Sequence, residues 1–257
     1  MYPSSMLSHV LSDIEINFQG QQEQSASWSY QRPSPSMPLE LAYWNGNIPP
    51  ALHAHFHDEV QITLVLAGKR TFVVKGQKLT VEAAQCIVIP AGWPHRSIPA
   101  PSTGGRCINV YAKLLVPLLS HFVLPLDADW VQSGQIKLDL LVAAVTSAQP
   151  ASQLRRYTQR SLEYLSGMET LDNVSDMAGH RGMSREGFTR SFSRTIGLPP
   201  HSYRTISRLN QARSQLRNSQ PIAEIAAALN FADQSHLSRL FRRTFGTTPS
   251  QYRKGSA

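Results

Sequence analysis

The sequence predicts a two-domain α+β chain: an N-terminal antiparallel β-barrel, then an all-α domain with two helix-turn-helix motifs joined by a linking helix. Three observations carry this. Residues 39 to about 113 read as short strands broken by Gly68, Gly76, Pro90-Ala91-Gly92 and Gly104-Gly105. The last seventy residues repeat a pattern at an offset of 49. The charge divides between the halves: residues 1–150 carry nine Lys+Arg against ten Asp+Glu, and residues 151–257 carry sixteen against seven.

At 257 residues the chain is long enough for two cores, and 41% hydrophobic with 16% charged is ordinary globular composition. Residues 1–38, rich in Ser, Gln and Pro, are expected to be a flexible N-terminal tail. The β-domain follows over 39–146. In it Val60, Ile62, Leu64 and Leu66 alternate with Gln61 and Thr63, the period of a half-buried strand. Ile136–Val145 has helical character. The linker is placed at 147–152 and the helical domain at 153–257. Cys86 and Cys107 lie in apolar runs without CxxC spacing and read as buried thiols of a reducing cytoplasm, with a redox pair as the alternative. Leu114–Leu126 is too short and too interrupted to span a membrane, so a cytoplasmic protein without a membrane partner is expected.

Within the helical domain a first helix is expected from about Ser152 to Met168, then Leu171–His180 and Ser184–Ile196, with the turn at Gly182. A linking helix runs from Pro200 to about Arg217 with Tyr203, Ile206, Leu209, Ala212 and Leu216 as its apolar stripe. The second motif runs from Pro221 to Leu229, turns at Asn230, and is capped by Asp233 for a helix ending at Phe245. The repeat aligns Arg190/Arg239, Phe192/Phe241, Arg194/Arg243, Thr195/Thr244, Gly197/Gly246, Pro200/Pro249, Tyr203/Tyr252 and Arg204/Arg253.

Two helix-turn-helix motifs rich in arginine point to double-stranded DNA, since guanidinium groups meet both phosphates and guanine edges. Phe188, Phe192 and Ile196, and Leu237, Phe241 and Phe245, take the inner faces. The opposite faces then present Arg185, Glu186, Thr189 and Arg190, and Gln234, Ser235, Ser238 and Arg239, to base edges. Arg194, Arg242 and Arg243 are placed on phosphates or neighbouring carboxylates. For Arg190 and Arg239 a structural salt bridge is the competing reading.

Ile225-Ala226 through Phe231-Ala232-Asp233-Gln234-Ser235-His236-Leu237-Ser238-Arg239-Leu240-Phe241-Arg242-Arg243, continuing to Gly246-Thr247-Thr248-Pro249 and Tyr252-Arg253, closely resembles the second motif of the AraC/XylS family of bacterial transcription regulators. The resemblance covers about 152–253 and implies promoter DNA and RNA polymerase as partners, most often in activation. The chain departs from the family pattern at Asn230, where glycine is usual, and carries Gly179 and Gly187 inside helices of the first motif, at about 1 kcal/mol each against Ala.

His53-Ala54-His55-Phe56-His57-Asp58-Glu59 and Pro90-Ala91-Gly92-Trp93-Pro94-His95 together resemble the two motifs of the cupin barrel, the usual sensory domain of that family. The first motif lies farther from Gly68 than usual, and no Asn follows His95. Read as one strand, His53, His55 and His57 share a face, onto which His95 converges. His55, His57, Trp93 and His95 are therefore the expected site for a small-molecule effector. Three imidazoles, with Glu59 adding an oxygen, would also suit a divalent transition metal. An organic ligand is preferred, and no cofactor is assigned. The reading is an effector-responsive DNA-binding regulator, with a homodimer as one arrangement. The rivals are a metal-dependent cupin enzyme fused to a DNA-binding module, and an effector-independent DNA binder.

Overall fold

The computed structural model describes residues 14–17, 28–33, 39–47, 51–99, 105–114, 118, 120–148, 165 and 173–255. Apart from Leu165, which is helical, the helix expected over Ser152–Met168 falls outside these residues, as does most of the expected linker.

The N-terminal domain is built on a six-stranded antiparallel sheet in the order β10-β7-β4-β9-β3-β2. These are β2 (Ser29–Gln31), β3 (Leu39–Gly46), β4 (Val60–Ala67), β7 (Gln85–Ile89), β9 (Gly105–Ala112) and β10 (Phe122–Pro125). A three-stranded sheet faces it in the order β6-β5-β8, from β5 (Lys69–Val74), β6 (Gln77–Glu82) and β8 (His95–Ile98). A ribbon of β1 (Glu15–Asn17) with β11 (Gln135–Lys137) and two helices, α1 (Ala128–Ser133) and α2 (Leu138–Ser147), complete it. The expected helix at Ile136–Val145 thus begins two residues later, because Ile136 pairs with Ile16.

The alternation in β4 is real, but its polar face does not meet water. Val60 through Val65 are all buried. Ile62 and Leu64 join a core with Val88, Ile108 and Val110 that is closed by Leu138, Leu141 and Val145 of α2. Gln61 and Thr63 point the other way, into the barrel. There His95 Nε2 lies 2.9 Å from Gln61 Oε1, Gln61 Nε2 donates to Thr63 Oγ1 (2.9 Å), Thr63 to Asn109 Oδ1 (2.7 Å), and Asn109 Nδ2 to the Tyr111 hydroxyl (3.0 Å). A buried polar row of this kind is tolerated because Gln61, Thr63, Asn109 and Tyr111 each meet another.

In the C-terminal half, α3 (Val174–Gly179) and α4 (Arg185–Ile196) form the first helix-turn-helix, and α6 (Ile222–Ala228) and α7 (Gln234–Phe245) the second. The 18-residue α5 (Pro200–Arg217) joins them, and α8 (Pro249–Gly255) follows. The local signals act as expected. Ser184 Oγ accepts from Gly187 N and Asp233 from His236 N, satisfying first-turn amides of α4 and α7. Gly182 and Asn230 turn at φ +60° and +55°. Pro221 caps α6 from just outside instead of opening it.

The tail expected over 1–38 is corrected in part. Its described residues are structural: Glu15–Asn17 pair with β11 and Ser29–Gln31 with β3. Trp28 and Tyr30, buried, enter one apolar core with Trp44, Cys107 and Tyr111 of the barrel and Leu209, Phe241, Phe245 and Tyr252 of the second motif. Tyr30 Oη donates to Phe245 O at 2.9 Å. Gly246 turns at φ +75°, and a Cβ there would collide with the Trp28 indole. Composition concealed this because the Trp28-Ser29-Tyr30 alternation is only three residues long. The two halves therefore share a core.

Candidate nucleic-acid interface and effector face

Burial decides which side of each recognition helix is free. In α4, Phe188, Phe192 and Ile196 are buried, whereas Arg185, Glu186, Arg190 and Arg194 are exposed and Thr189 is half-buried. In α7, Leu237, Phe241 and Phe245 are buried, whereas Gln234, Ser235, Arg239, Arg242 and Arg243 are exposed and Ser238 is half-buried. Both helices thus present the expected polar set on one face. Thr189 Oγ1 donates back to Arg185 O (2.8 Å), which leaves its oxygen to accept. Among the described residues neither Arg190 nor Arg239 sits in an ion pair, so the salt-bridge reading of these two gains no support. Arg243, expected on phosphate, donates from Nε to His53 Nε2 at 2.7 Å, which ties the end of α7 to the barrel. Arg208 of α5 donates to the carbonyls of Leu229 and Asn230, capping α6.

The histidines do converge, although not as one strand. Residues 51–59 cross the barrel mouth as a loop with a single bridge, His55 to His95, whose backbone bonds are 2.8 and 2.9 Å. His53 consequently turns outward to Arg243. The rings of His55, His57 and His95 lie 4.5 to 5.5 Å apart and are only 2–3% exposed. Phe245 covers the His55 and His57 rings. Trp93 does not join them. Its indole packs against the apolar cluster that includes Phe72 and Ile89, under the Lys75 ammonium, and only its carbonyl reaches the histidines, at 2.9 Å from His95 Nδ1. Glu59 is likewise turned away, toward Arg213 and Arg217.

Burial holds all three imidazoles neutral. It pushes His95 down to about 4, and places His55 and His57 well below the ordinary histidine range, with the neighbouring imidazoles and Arg213 acting in the same direction. His57 Nδ1 accepts from Arg213 Nη1 at 3.0 Å, so the single proton of the neutral ring sits on Nε2, which is buried without a partner. A metal would need that Nε2 lone pair. The three ligand atoms are close enough, within 4.8 Å of one another, but with Arg213 in place the rings do not fit a three-imidazole centre.

Sequence reasoning missed the strongest electrostatic feature. Arg213 donates to Glu40 (2.5 Å) and Glu59 (3.4 Å), and Arg217 to the same pair (2.8 and 3.1 Å). The Tyr252 hydroxyl also donates to Glu40. Burial alone would raise Glu59, but the two guanidinium groups outweigh it and hold the carboxyl below its usual range. The available signal was position. Arg213 follows Leu209 by four and precedes Leu216 by three, which puts a cation on the buried stripe of α5.

Comparison with known proteins matches both halves of this fold, the histidine-lined barrel and the helix-turn-helix motifs on their rigid spacer. Residues 177–255 match a helix-turn-helix domain and residues 45–111 a cupin domain. The cupin match thus precedes the helix-turn-helix match, in the order of the two parts of the fold. It is similar to the HTH-type transcriptional regulator MtrA of Neisseria gonorrhoeae, 30% identical over 60% of this chain and 48% of that one. It also resembles the probable transcriptional regulator LumQ of Photobacterium leiognathi, 28% identical over 77% and 90%. The chain spans less than half the length of several curated relatives, MtrA among them. Its fold is that of ToxT from Vibrio cholerae, solved with (E)-4-(8-methylnaphthalen-1-yl)but-3-enoic acid (TM-score 0.54, 12% identity, 89% of this chain and 100% of that one). Among the described residues no helix is long and apolar enough to cross a membrane.

Proposed function

We propose that this chain is a sequence-specific DNA-binding transcription regulator, an effector-responsive activator that reads two successive major grooves. One observation carries the reading: two recognition helices with exposed polar faces stand at either end of α5, in the half that holds the entire cationic excess. Eighteen helical residues span roughly 27 Å, close to the ~34 Å between successive grooves on one face of the duplex. Arg185, Glu186, Thr189 and Arg190 read bases in one groove, and Gln234, Ser235, Ser238 and Arg239 in the next. Arg194, Arg242 and Arg243 meet phosphates, the last after leaving His53. RNA polymerase and a second copy of the chain are the further partners, as the AraC type implies.

The effector acts at the His55/His57/His95 face. Its influence needs different affinities for two arrangements of the domains, and the shared core with the Arg213–His57 contact supplies the arrangement to be biased. The test is His55→Ala with His95→Ala. Backbone bonding at the bridge survives both changes, so basal DNA affinity should persist while the transcriptional response to the inducing condition is lost. A double variant that responds like the parent places the site elsewhere.

A further inference from the structure

The linking helix carries basic residues on a face that its core packing leaves open. His201, Arg204 and Arg208 follow at steps of three and four along α5, so they share one face. Ile206, Asn210 and Arg213 turn away from it into the core. That face borders a hollow of about 540 Å³ between the two motifs. Asn173 beside α3 and Arg185 at the start of α4 bound it from the first motif, and Asn230 from the turn of the second. Arg208 is anchored at its edge. Nη1 donates to the carbonyls of Leu229 (3.4 Å) and Asn230 (3.0 Å), and the guanidinium lies over the Phe231 ring, 5.2 Å from its centroid. Among the described residues these bonds use Nη1 alone. Arg204 is already engaged within the chain, so the open edge is that of Arg208, with the exposed His201 two turns back. An anchored guanidinium with an uncommitted edge is already oriented for an anion and loses little freedom on meeting one. Burial, and then the nearby Arg204 charge, lower Arg208 from its usual range, a cost that an anion opposite it would offset.

Two recognition helices seated in successive major grooves leave the intervening minor groove facing whatever joins them. Sugar–phosphate strands rim that groove, and their regular negative charge is the partner a basic hollow fits. Resting on the two-groove reading above, we infer that α5 is a third DNA contact, with Arg208 and His201 holding phosphates that rim the minor groove between the two blocks of the DNA site. The contact is to backbone, so it carries no base preference of its own. It fixes the distance between the blocks instead. Arg208 is tied to the turn of the second motif, while Arg185 of the first walls the same hollow.

The test uses the full chain and the duplex it selects from a random pool. Single methylphosphonate linkages, each removing one phosphate charge, are placed in turn along the stretch between the blocks. At one or more of these positions the parent should bind at least about tenfold more weakly, as a charge-assisted bond is lost. Arg208→Gln should bind the unmodified duplex more weakly, lower the log–log salt slope by about one, and be indifferent to one methylphosphonate that weakens the parent. His201→Ala should become indifferent at a second position. Arg208→Gln also loses its cap on α6, which would weaken binding by itself. A damaged fold would still feel the missing phosphate charge, so indifference is the deciding readout. Arg208→Lys, which keeps the charge, should restore part of the sensitivity. Two sharp blocks with no sensitive linkage between them, or an Arg208→Gln protein as sensitive as the parent at every position, overturn this inference and leave the two-groove reading standing. A parent that selects no two-block site overturns both.

Discussion

Arg213 of the linking helix donates from Nη1 to His57 Nδ1, 3.0 Å away in the barrel. A single buried guanidinium therefore joins the helix that spaces the two recognition motifs to the cluster on which the effector is proposed to act. It also fixes the His57 tautomer and neutralises Glu40 and Glu59. Whatever displaces Arg213 changes the proton position on His57, the charge of the seam and the seating of α5 together.

Arg213→Met leaves two buried carboxylates with Arg217 as their remaining cation. Breaking a buried ion pair from one side costs about 3–5 kcal/mol. Equilibrium denaturation of the full chain should show a loss of that order, and Arg213→Met with Glu40→Gln should recover part of it, because one stranded charge is gone. An Arg213→Met protein as stable as the parent would mean that the guanidinium does not bind the two domains together.

Trp28 should behave as core. Trp28→Ala should cost about 3–5 kcal/mol, as for large-to-small core changes, and hydrogen exchange should accelerate in α7 and α8. Gly246→Ala should act in the same direction, from the strained φ and the collision with the same indole. Loss confined to the barrel, with exchange in α7 and α8 unchanged, would contradict the shared core.

Stability should begin to fall on acidification at about pH 6.5, above the ordinary carboxylate range. His55, His57 and His95 are held neutral by burial, so between about pH 6.5 and 4 the unfolded chain binds more protons than the folded one. Their contribution is complete above the unfolded value and is lost as pH drops, at about 1.4 kcal/mol per pH unit for each histidine. His95→Gln should lower the slope of stability against pH by about one proton in this window. An unchanged slope would place His95 in contact with water.

Both helix-turn-helix motifs were legible because capping, turn and core signals are local: Ser184, Gly182, Asp233, Asn230 and the Phe188/Phe192 and Leu237/Phe241 pairs specify them within a dozen residues. The barrel was legible as a class from its alternation and punctuation. What the sequence hid is non-local. Gln61 and Thr63 looked solvent-facing because a polar residue on a strand carries no mark of the Asn109 that satisfies it 46 positions later. Glu40 and Arg213 stand 173 residues apart. Trp93 sits in the cupin-like turn beside His95, yet its ring is drawn to Lys75 and the apolar wall.

The central claim is tested most directly by letting the purified protein select duplexes from a random DNA pool and repeating the selection with Arg239→Ala. The account predicts a bipartite motif whose two blocks lie about one helical turn apart, ~10 base pairs, each read by one recognition helix. Arg239→Ala should blur one base pair in one block, at a cost of about 1–3 kcal/mol, and leave the other block sharp. No enriched motif, a single block, or an Arg239→Ala protein that selects the parent's sequence unchanged would contradict it.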